Sequence, residues 1–311
     1  MRLRGRRRGG AGGSRRTLAI AGAGGMAAVH AAAAGPAGLR LTAVASDSGR
    51  SSRSLAGEAE ARRVRPEELP AGADVLVVAT PGPSHVDLTR RGAAAGAAVL
   101  VESPWCDDVA AADALAGIDG GTGRVRGAAS VRCGPTWSAA ARRFASLVRP
   151  DHVSGRFVQP APDWGHLAER HSPDDALVLL GPTALVLVED ASGGTVTEVA
   201  AERRDTRTHL RLALDSPAGP LTATLEVGFD ERAEVWFQVA APDGVVRCEL
   251  APGRLLEVDG EPVTLAPATG PAAELIEAGY VPQLQHLGGP DDRTVDVATI
   301  RRITGALAAA R

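Results

Sequence analysis

The first hundred residues alternate short, continuous apolar runs with segments of helical length. Thr17–Ala21, Leu39–Ala45, Asp74–Thr80 and Ala98–Val101 are apolar almost throughout, as strands covered on both faces of a parallel sheet must be. Between them lie an alanine-rich stretch reaching about Ala34 and a segment from Val86 to Ala95, both read as helices. Strand alternating with helix at this spacing predicts a doubly wound parallel sheet of the α/β class. From Thr195 the period changes to two. Leu221, Ala223, Leu225 and Val227 would share one face of a strand, with Thr222, Thr224 and Glu226 on the other. Thr208–Leu214 and Glu234–Ala240 alternate likewise, and turn clusters separate the three runs. The pattern predicts a mainly antiparallel sheet with one buried and one open face, closed by an amphipathic helix within Asp291–Arg311.

The ends of the apolar runs carry the polar and glycine-rich positions. After the first run comes Gly22-Ala23-Gly24-Gly25-Met26-Ala27, a G-x-G-x-x-A turn between strand and helix. Gly22 permits the tight turn and Gly24 lets the backbone approach a pyrophosphate. Ala27 keeps helix and strand close, and the helix N-terminus faces the phosphates with free N–H groups. This is a Rossmann-type dinucleotide-binding turn, with Gly25 and Met26 part of the same cradle. The second run ends in Ser46-Asp47-Ser48-Gly49-Arg50, where the adenosine ribose is read. Asp47 favours the free hydroxyls of NAD, whereas Ser46 with Arg50 and Arg53 favours the 2′-phosphate of NADP, so both cofactors stay open. The third and fourth runs end in Thr80-Pro81-Gly-Pro-Ser-His85 and Glu102-Ser103-Pro104, and ligands of such sheets bind beyond these strand ends. The expected organisation is a basic, disordered tail over residues 1–14, a dinucleotide-binding domain over 15–127, and an α+β domain for substrate and oligomerisation over 128–311.

Composition narrows the partners. Apolar residues make up 44% and charged residues 23% of the 311-residue chain, and the net charge is −3; nothing calls for a nucleic-acid or membrane partner. Cys106, Cys133 and Cys248 are far apart without CxxC spacing, so neither a metal site nor a disulfide framework is expected and a cytoplasmic location fits. Ser14-Arg15-Arg16-Thr17-Leu18-Ala19 resembles a twin-arginine export signal. Cleavage after it would delete the nucleotide turn, so the run is read as the first strand and helix. All 34 basic residues are arginine, so no lysine stands anywhere in the chain.

Three motifs occur in order: G-x-G-x-x-A-x-x-H from Gly22 to His30, Ala79-Thr-Pro-x-x-x-His85, and Glu-x-Pro at 102–104. Together they resemble the Gfo/Idh/MocA family of NAD(P)-dependent oxidoreductases. The resemblance implies hydride transfer to or from a small carbonyl, imine or sugar-like substrate, and assembly of copies through the open sheet, where Trp236 stands on the second face. The family's third motif reads Glu-Lys-Pro, its lysine binding substrate and nicotinamide; Ser103 occupies that place here. A further family motif, Asp-x-x-x-His, resembles the stretch His171 to Gly181, which puts Leu167 where the aspartate belongs.

Moving the hydroxyl proton as hydride leaves calls for a group that titrates near neutrality. Arginine stays protonated and serine is a poor base unaided, so His171 is the leading acid–base candidate, with Ser103 holding or relaying a hydrogen bond. His85 is expected to order its loop, His30 to pack helix against sheet, and Glu102 to orient the turn or touch the nicotinamide ribose. Two readings follow: an active oxidoreductase of altered mechanism, or a nucleotide-binding or assembly protein that keeps the fold without catalysis.

Overall fold

The computed structural model describes residues 15–47, 49–163 and 169–311; the expected tail, Ser48, His166 and Leu167 lie outside them. The first sheet contains β1 (Thr17–Ala21), β2 (Arg40–Ala45), β3 (Arg62–Val64), β4 (Val75–Val78), β5 (Ala98–Val101) and β6 (Val125–Gly127). They run parallel in the order β3-β2-β1-β4-β5-β6, so the strand order reverses between β1 and β4. The helices of this half are α1 (Gly25–Ala34), α2 (Gly49–Glu58), α3 (His85–Ala94) and α4 (Val109–Asp119). Because side chains alternate along a strand, each run serves two cores. Leu18, Ile20, Val75 and Val77 pack toward α1 and α2, while Ala19, Ala21, Leu76 and Val78 pack toward α3 and α4. This double burial is why the runs are apolar without interruption.

The chain then passes through α5 (Ser130–Cys133) and α6 (Pro135–Phe144) into β7 (His152–Gln159) and the long helix α7 (Pro173–Ser192). Ser172 and Asp175 form a capping box at the start of α7, Pro173 takes the first turn, and Gly193 ends the helix in a left-handed conformation. The second sheet adds β8 (Thr195–Arg204), β9 (Arg207–Ser216), β10 (Gly219–Phe229), β11 (Glu234–Ala241), β12 (Gly244–Ala251), β13 (Leu255–Val258) and β14 (Glu261–Pro262). Its order is β14-β13-β12-β11-β7-β10-β9-β8; β7 and β10 pair in parallel, and the other pairs are antiparallel. Leu221, Ala223, Leu225 and Val227 are buried as their period predicts. The opposite face is a charge lattice in which Arg156 reaches both Glu226 and Glu234, and Arg247 lies over Trp236.

The C-terminal segment returns to the first sheet. After α8 (Ala273–Glu277) and α9 (Tyr280–His286), the two-residue β15 (Val295–Asp296) pairs antiparallel with β6, and α10 (Val297–Ala309) packs against both α4 and α7. Arg132 reinforces the junction: its guanidinium grips Asp190 of α7 at 2.7 and 2.6 Å and also donates to the carbonyls of Arg293 and Thr294. Trp137 donates to the same carboxylate. Sheet, α7 and C-terminus are thereby held in one fixed relation, and that relation sets the width of the cleft between them.

Phe237 lies fully buried under α6, edge-on to Trp137 with ring centroids 5.2 Å apart. Replacing it with alanine removes the ring that fills the space above Gly155. Phe237→Ala should cost about 3–5 kcal/mol, read as an earlier midpoint in urea unfolding followed by tryptophan fluorescence.

Candidate functional site

The site begins at the turn after β1. Gly22 has φ +115°, and a Cβ there would overlap the carbonyl of Ala79 at the end of β4. The glycine therefore lets two neighbouring strand ends close together at the switch point. Gly24, by contrast, has extended backbone and open space on its side-chain side. Above these turns lies a cavity of about 670 Å³ lined by Gly22–Met26, Ser46, Asp47, Thr80, Pro81, Glu102 and Ser103. It is a groove for an extended ligand that crosses the strand ends and meets the N-terminus of α1. A second compartment of about 480 Å³ adjoins it, lined by residues that include Ser130, Phe157, Leu180, Thr183, Phe229 and Tyr280. Met26, Glu102, Ser103 and Leu179 line both, so the two spaces meet at the Glu-Ser-Pro loop.

That loop is held from behind. Trp105 is buried and donates its indole N–H to the carbonyl of Ala128 at 2.8 Å. The buried ring of His85 spans the carbonyls of Thr80, 2.7 Å away, and Trp105, 3.1 Å away, tying the third strand-end loop to the fourth. His30, also fully buried, holds the Glu102 carboxylate with Nε2 at 2.5 Å from Oε1. The Ser103 hydroxyl is buried at the meeting point, without a hydrogen-bond partner.

Tyr280 closes the wall of the second compartment. Gly279, at φ +84°, brings the chain against the Ser130 carbonyl, where a Cβ would overlap it. The tyrosine ring then stands edge-on to His30. Burial pushes its hydroxyl up to about 12; the charge of Glu102 adds to the rise, and a hydrogen bond with Ser130 opposes it. Tyr280 is thus held protonated across the physiological range.

The expected site residues divide into three groups. Gly22, Gly24, Gly25, Met26, Ser46, Asp47, Thr80, Pro81, Glu102 and Ser103 converge on the cleft. Ala27, His30 and His85 lie just beneath it, fully or almost fully buried. Arg50 and His171 are not among the described lining. Arg50 is exposed on α2, and the basic side chains grouped with Ser46 and Asp47 are instead Arg63 and Arg65, brought in by β3 pairing beside β2. His171 is exposed immediately before the Ser172 cap of α7 and is not among the described lining residues. The residues that α7 does present to the cleft are Leu179, Leu180 and Thr183, of which Leu179 and Thr183 line one face. These two stand four apart, the spacing of the Asp-x-x-x-His motif, and neither ionises in water. Tyr280, Ser130 and this α7 pair escaped the sequence reading because each lies far along the chain from the glycine turn. The uninterrupted 3.6-residue phase of α7 was the one signal available for Leu179 and Thr183.

Two glycine variants separate the roles in this site. Gly22→Val should fail to fold or unfold at a markedly lower temperature, since the backbone strain alone is about 1–3 kcal/mol and the Ala79 clash adds to it. Gly24→Val should leave the melting temperature of the free protein unchanged yet weaken NADH binding by about tenfold or more, measured by nicotinamide fluorescence. Tyr280 is the single tyrosine of the chain, so its phenolate absorbance reports on this wall alone. At about pH 11 the folded protein should show only about a tenth of its phenolate absorbance, whereas the same sample in urea should show about nine-tenths of it. Because the folded state holds this proton more tightly, its contribution to stability is present below pH 10 and is lost as the pH rises through about 12.

Residues 16–125 match the family model described as an oxidoreductase family with an NAD-binding Rossmann fold. No curated protein sequence matches the chain. Among solved structures, the UDP-N-acetylglucosamine 3-dehydrogenase GnnA of Acidithiobacillus ferrooxidans is similar over 95% of this chain and 96% of its own, with 18% identity and a TM-score of 0.77. GenD2 of gentamicin A biosynthesis, solved with NAD, is 20% identical over 95% of this chain and 93% of its own, with a TM-score of 0.74. An oxidoreductase of Agrobacterium radiobacter, solved with NAD+, L-tartaric acid and magnesium, is 18% identical over 96% and 95%, with a TM-score of 0.76. At these identities the likeness is one of fold, and it extends through both sheets. Over residues 16–125 the chain thus matches the Gfo/Idh/MocA oxidoreductase family model, and its first sheet has the NAD-binding Rossmann fold that the model describes.

Proposed function

We propose that the protein is an NAD(P)-dependent oxidoreductase acting by hydride transfer on a small carbonyl, imine or sugar-like molecule. The observation that carries this reading is the meeting of two compartments at Glu102 and Ser103, one shaped for an extended dinucleotide and the other for a compact molecule. In this reading Gly22, Gly24, Gly25 and Met26 receive the pyrophosphate, while Ala27 keeps α1 close to β1. Ser46 and Asp47 face the adenosine ribose, with Arg63 and Arg65 nearby. Thr80, Pro81 and Glu102 border the nicotinamide half, and His85 holds their loop. The bound dinucleotide supplies hydride chemistry at its ring; the chain supplies position, exclusion of water and hydrogen bonds. Ser103 offers its unpartnered hydroxyl to the substrate. The lattice face of the second sheet, with Trp236 in it, is our proposed contact between copies of the chain. Among the described residues no helix is long and apolar enough to cross a membrane.

A second reading has an observation of its own. Ser103 and Leu167 stand where the family motifs put lysine and aspartate, and α7 lines the second compartment with Leu179, Leu180 and Thr183, which favours a protein that binds nucleotide without turnover. Titration with NADH and with NADPH, followed by turnover on carbonyl, imine and sugar panels, separates the two. Cofactor binding with turnover of any panel supports the first reading, and binding without turnover supports the second. Failure to bind either cofactor contradicts both.

Restoring one residue should not restore polyol oxidation. Ser103→Lys alone is expected to leave oxidation of myo-inositol undetectable, since Leu179 and Thr183 still offer no proton acceptor. The triple variant Ser103→Lys, Leu179→Asp, Thr183→His should raise it by about 10²-fold or more over the single variant, the usual scale of general acid–base catalysis. Equal activity of the two would show that the α7 pair is not the deficit.

A further inference from the structure

The charge of the second compartment narrows its ligand. Glu102 and Asp163 are the charged side chains among its described lining, and both are acidic. Arg91 and Arg170 line only the dinucleotide compartment, and the chain has no lysine. The walls between the two carboxylates are apolar, with Phe157, Leu180 and Phe229 among them. Asp163 is exposed at the rim, whereas the Glu102 side chain is mostly buried and hydrogen-bonded by His30; around Glu102, where the walls exclude water, opposite charges attract and like charges repel more strongly than in solution. The buried, unpartnered Ser103 hydroxyl marks where a polar group of the ligand would sit.

From this we infer that the substrate is an iminium cation, reduced to a neutral amine; the inference rests on the dinucleotide-dependent reading above. Charge decides between the two classes of hydride acceptor. A carbonyl that accepts hydride develops an alkoxide, which here would form beside two carboxylates with no cation in the described wall to receive it. Protonating that alkoxide from Tyr280 would leave a phenolate next to Glu102, a third anion in the same space. An iminium avoids both costs. Hydride from the reduced nicotinamide forms the new C–H bond, the C=N π pair moves onto nitrogen, and a neutral amine results. The positive charge passes to the oxidised nicotinamide, so the total charge facing Glu102 is unchanged and no proton is transferred. Serine in place of lysine then has a physical reason, since an ammonium at position 103 would repel the substrate. The same argument accounts for the uncharged Leu179 and Thr183.

The test uses NADH-loaded protein and three rings of similar size: piperidine, which is cationic at neutral pH, cyclohexanol and cyclohexanecarboxylate. Calorimetry should show piperidinium binding about tenfold or more tightly than either of the others. Asp163→Asn and Glu102→Gln should each cut that preference by about threefold or more while the protein stays folded. N-methyl-3,4-dihydroisoquinolinium, a permanently charged iminium, should then oxidise bound NADH, and the ketone 1-tetralone should not. Equal binding of the three rings, tighter binding of the carboxylate, or reduction of the ketone alone would overturn the inference and leave the dinucleotide reading intact. Failure of NADH to bind in the first titration is a separate result; it would remove the dinucleotide reading and this inference with it.

Discussion

The cleft depends on how closely the turn after β1 approaches the end of β4. A side chain at Gly22 would meet the Ala79 carbonyl, so the two strand ends close only because the residue is glycine. Once they close, the N-terminus of α1 points into the groove and the loops ending in Thr80 and Glu102 stand side by side. His85 then bridges them through two carbonyls, and His30 fixes the Glu102 carboxylate. The first two motif histidines are thus buried beneath the cleft and tie its loops together.

Where the two compartments meet, Ser103 and Leu179 line both and Thr183 lines the second, so these positions carry a hydroxyl, an isobutyl group and another hydroxyl. Removing charge from a site is not neutral. In an apolar wall each charge left behind acts more strongly, and here the remaining charges are carboxylates. A site built this way disfavours a developing oxyanion and favours a cation. In the proposed reading the uncharged residues at 103, 179 and 183 form a coherent set that favours the same class of ligand.

Much of the first sheet was legible because double burial leaves an unmistakable trace: four apolar runs, each ending at a ligand-facing turn. β3 and β6 were not, because three-residue strands such as Arg62–Val64 have too few positions for a pattern and β3 carries two arginines. The alternating strands of the second sheet could be read for the same reason in reverse, since one face is buried and the other is a charge lattice. β7 escaped because its parallel partner β10 lies some seventy residues away, and nothing local announces that pairing. In the site, the glycine turn and the strand-end loops were found from local motifs. Leu179 and Thr183 went unread because a leucine is inconspicuous; only the phase of a folded helix shows which side chains meet the cleft. Arg63 and Arg65 were not read beside Ser46 because sequence distance is a poor guide to distance across neighbouring strands.

The central claim is that Ser103 and Thr183, rather than a lysine or a histidine, stand beside the reactive end of a bound nicotinamide. A crystal structure with NADH bound tests it most directly, by showing what stands within hydrogen-bonding reach of the space beside the ring's hydride-donating carbon. The account predicts Ser103 and Thr183 there, with Met26 and Leu179 completing the wall and Tyr280 turned toward Ser130. A histidine within that reach, His171 above all, would contradict it.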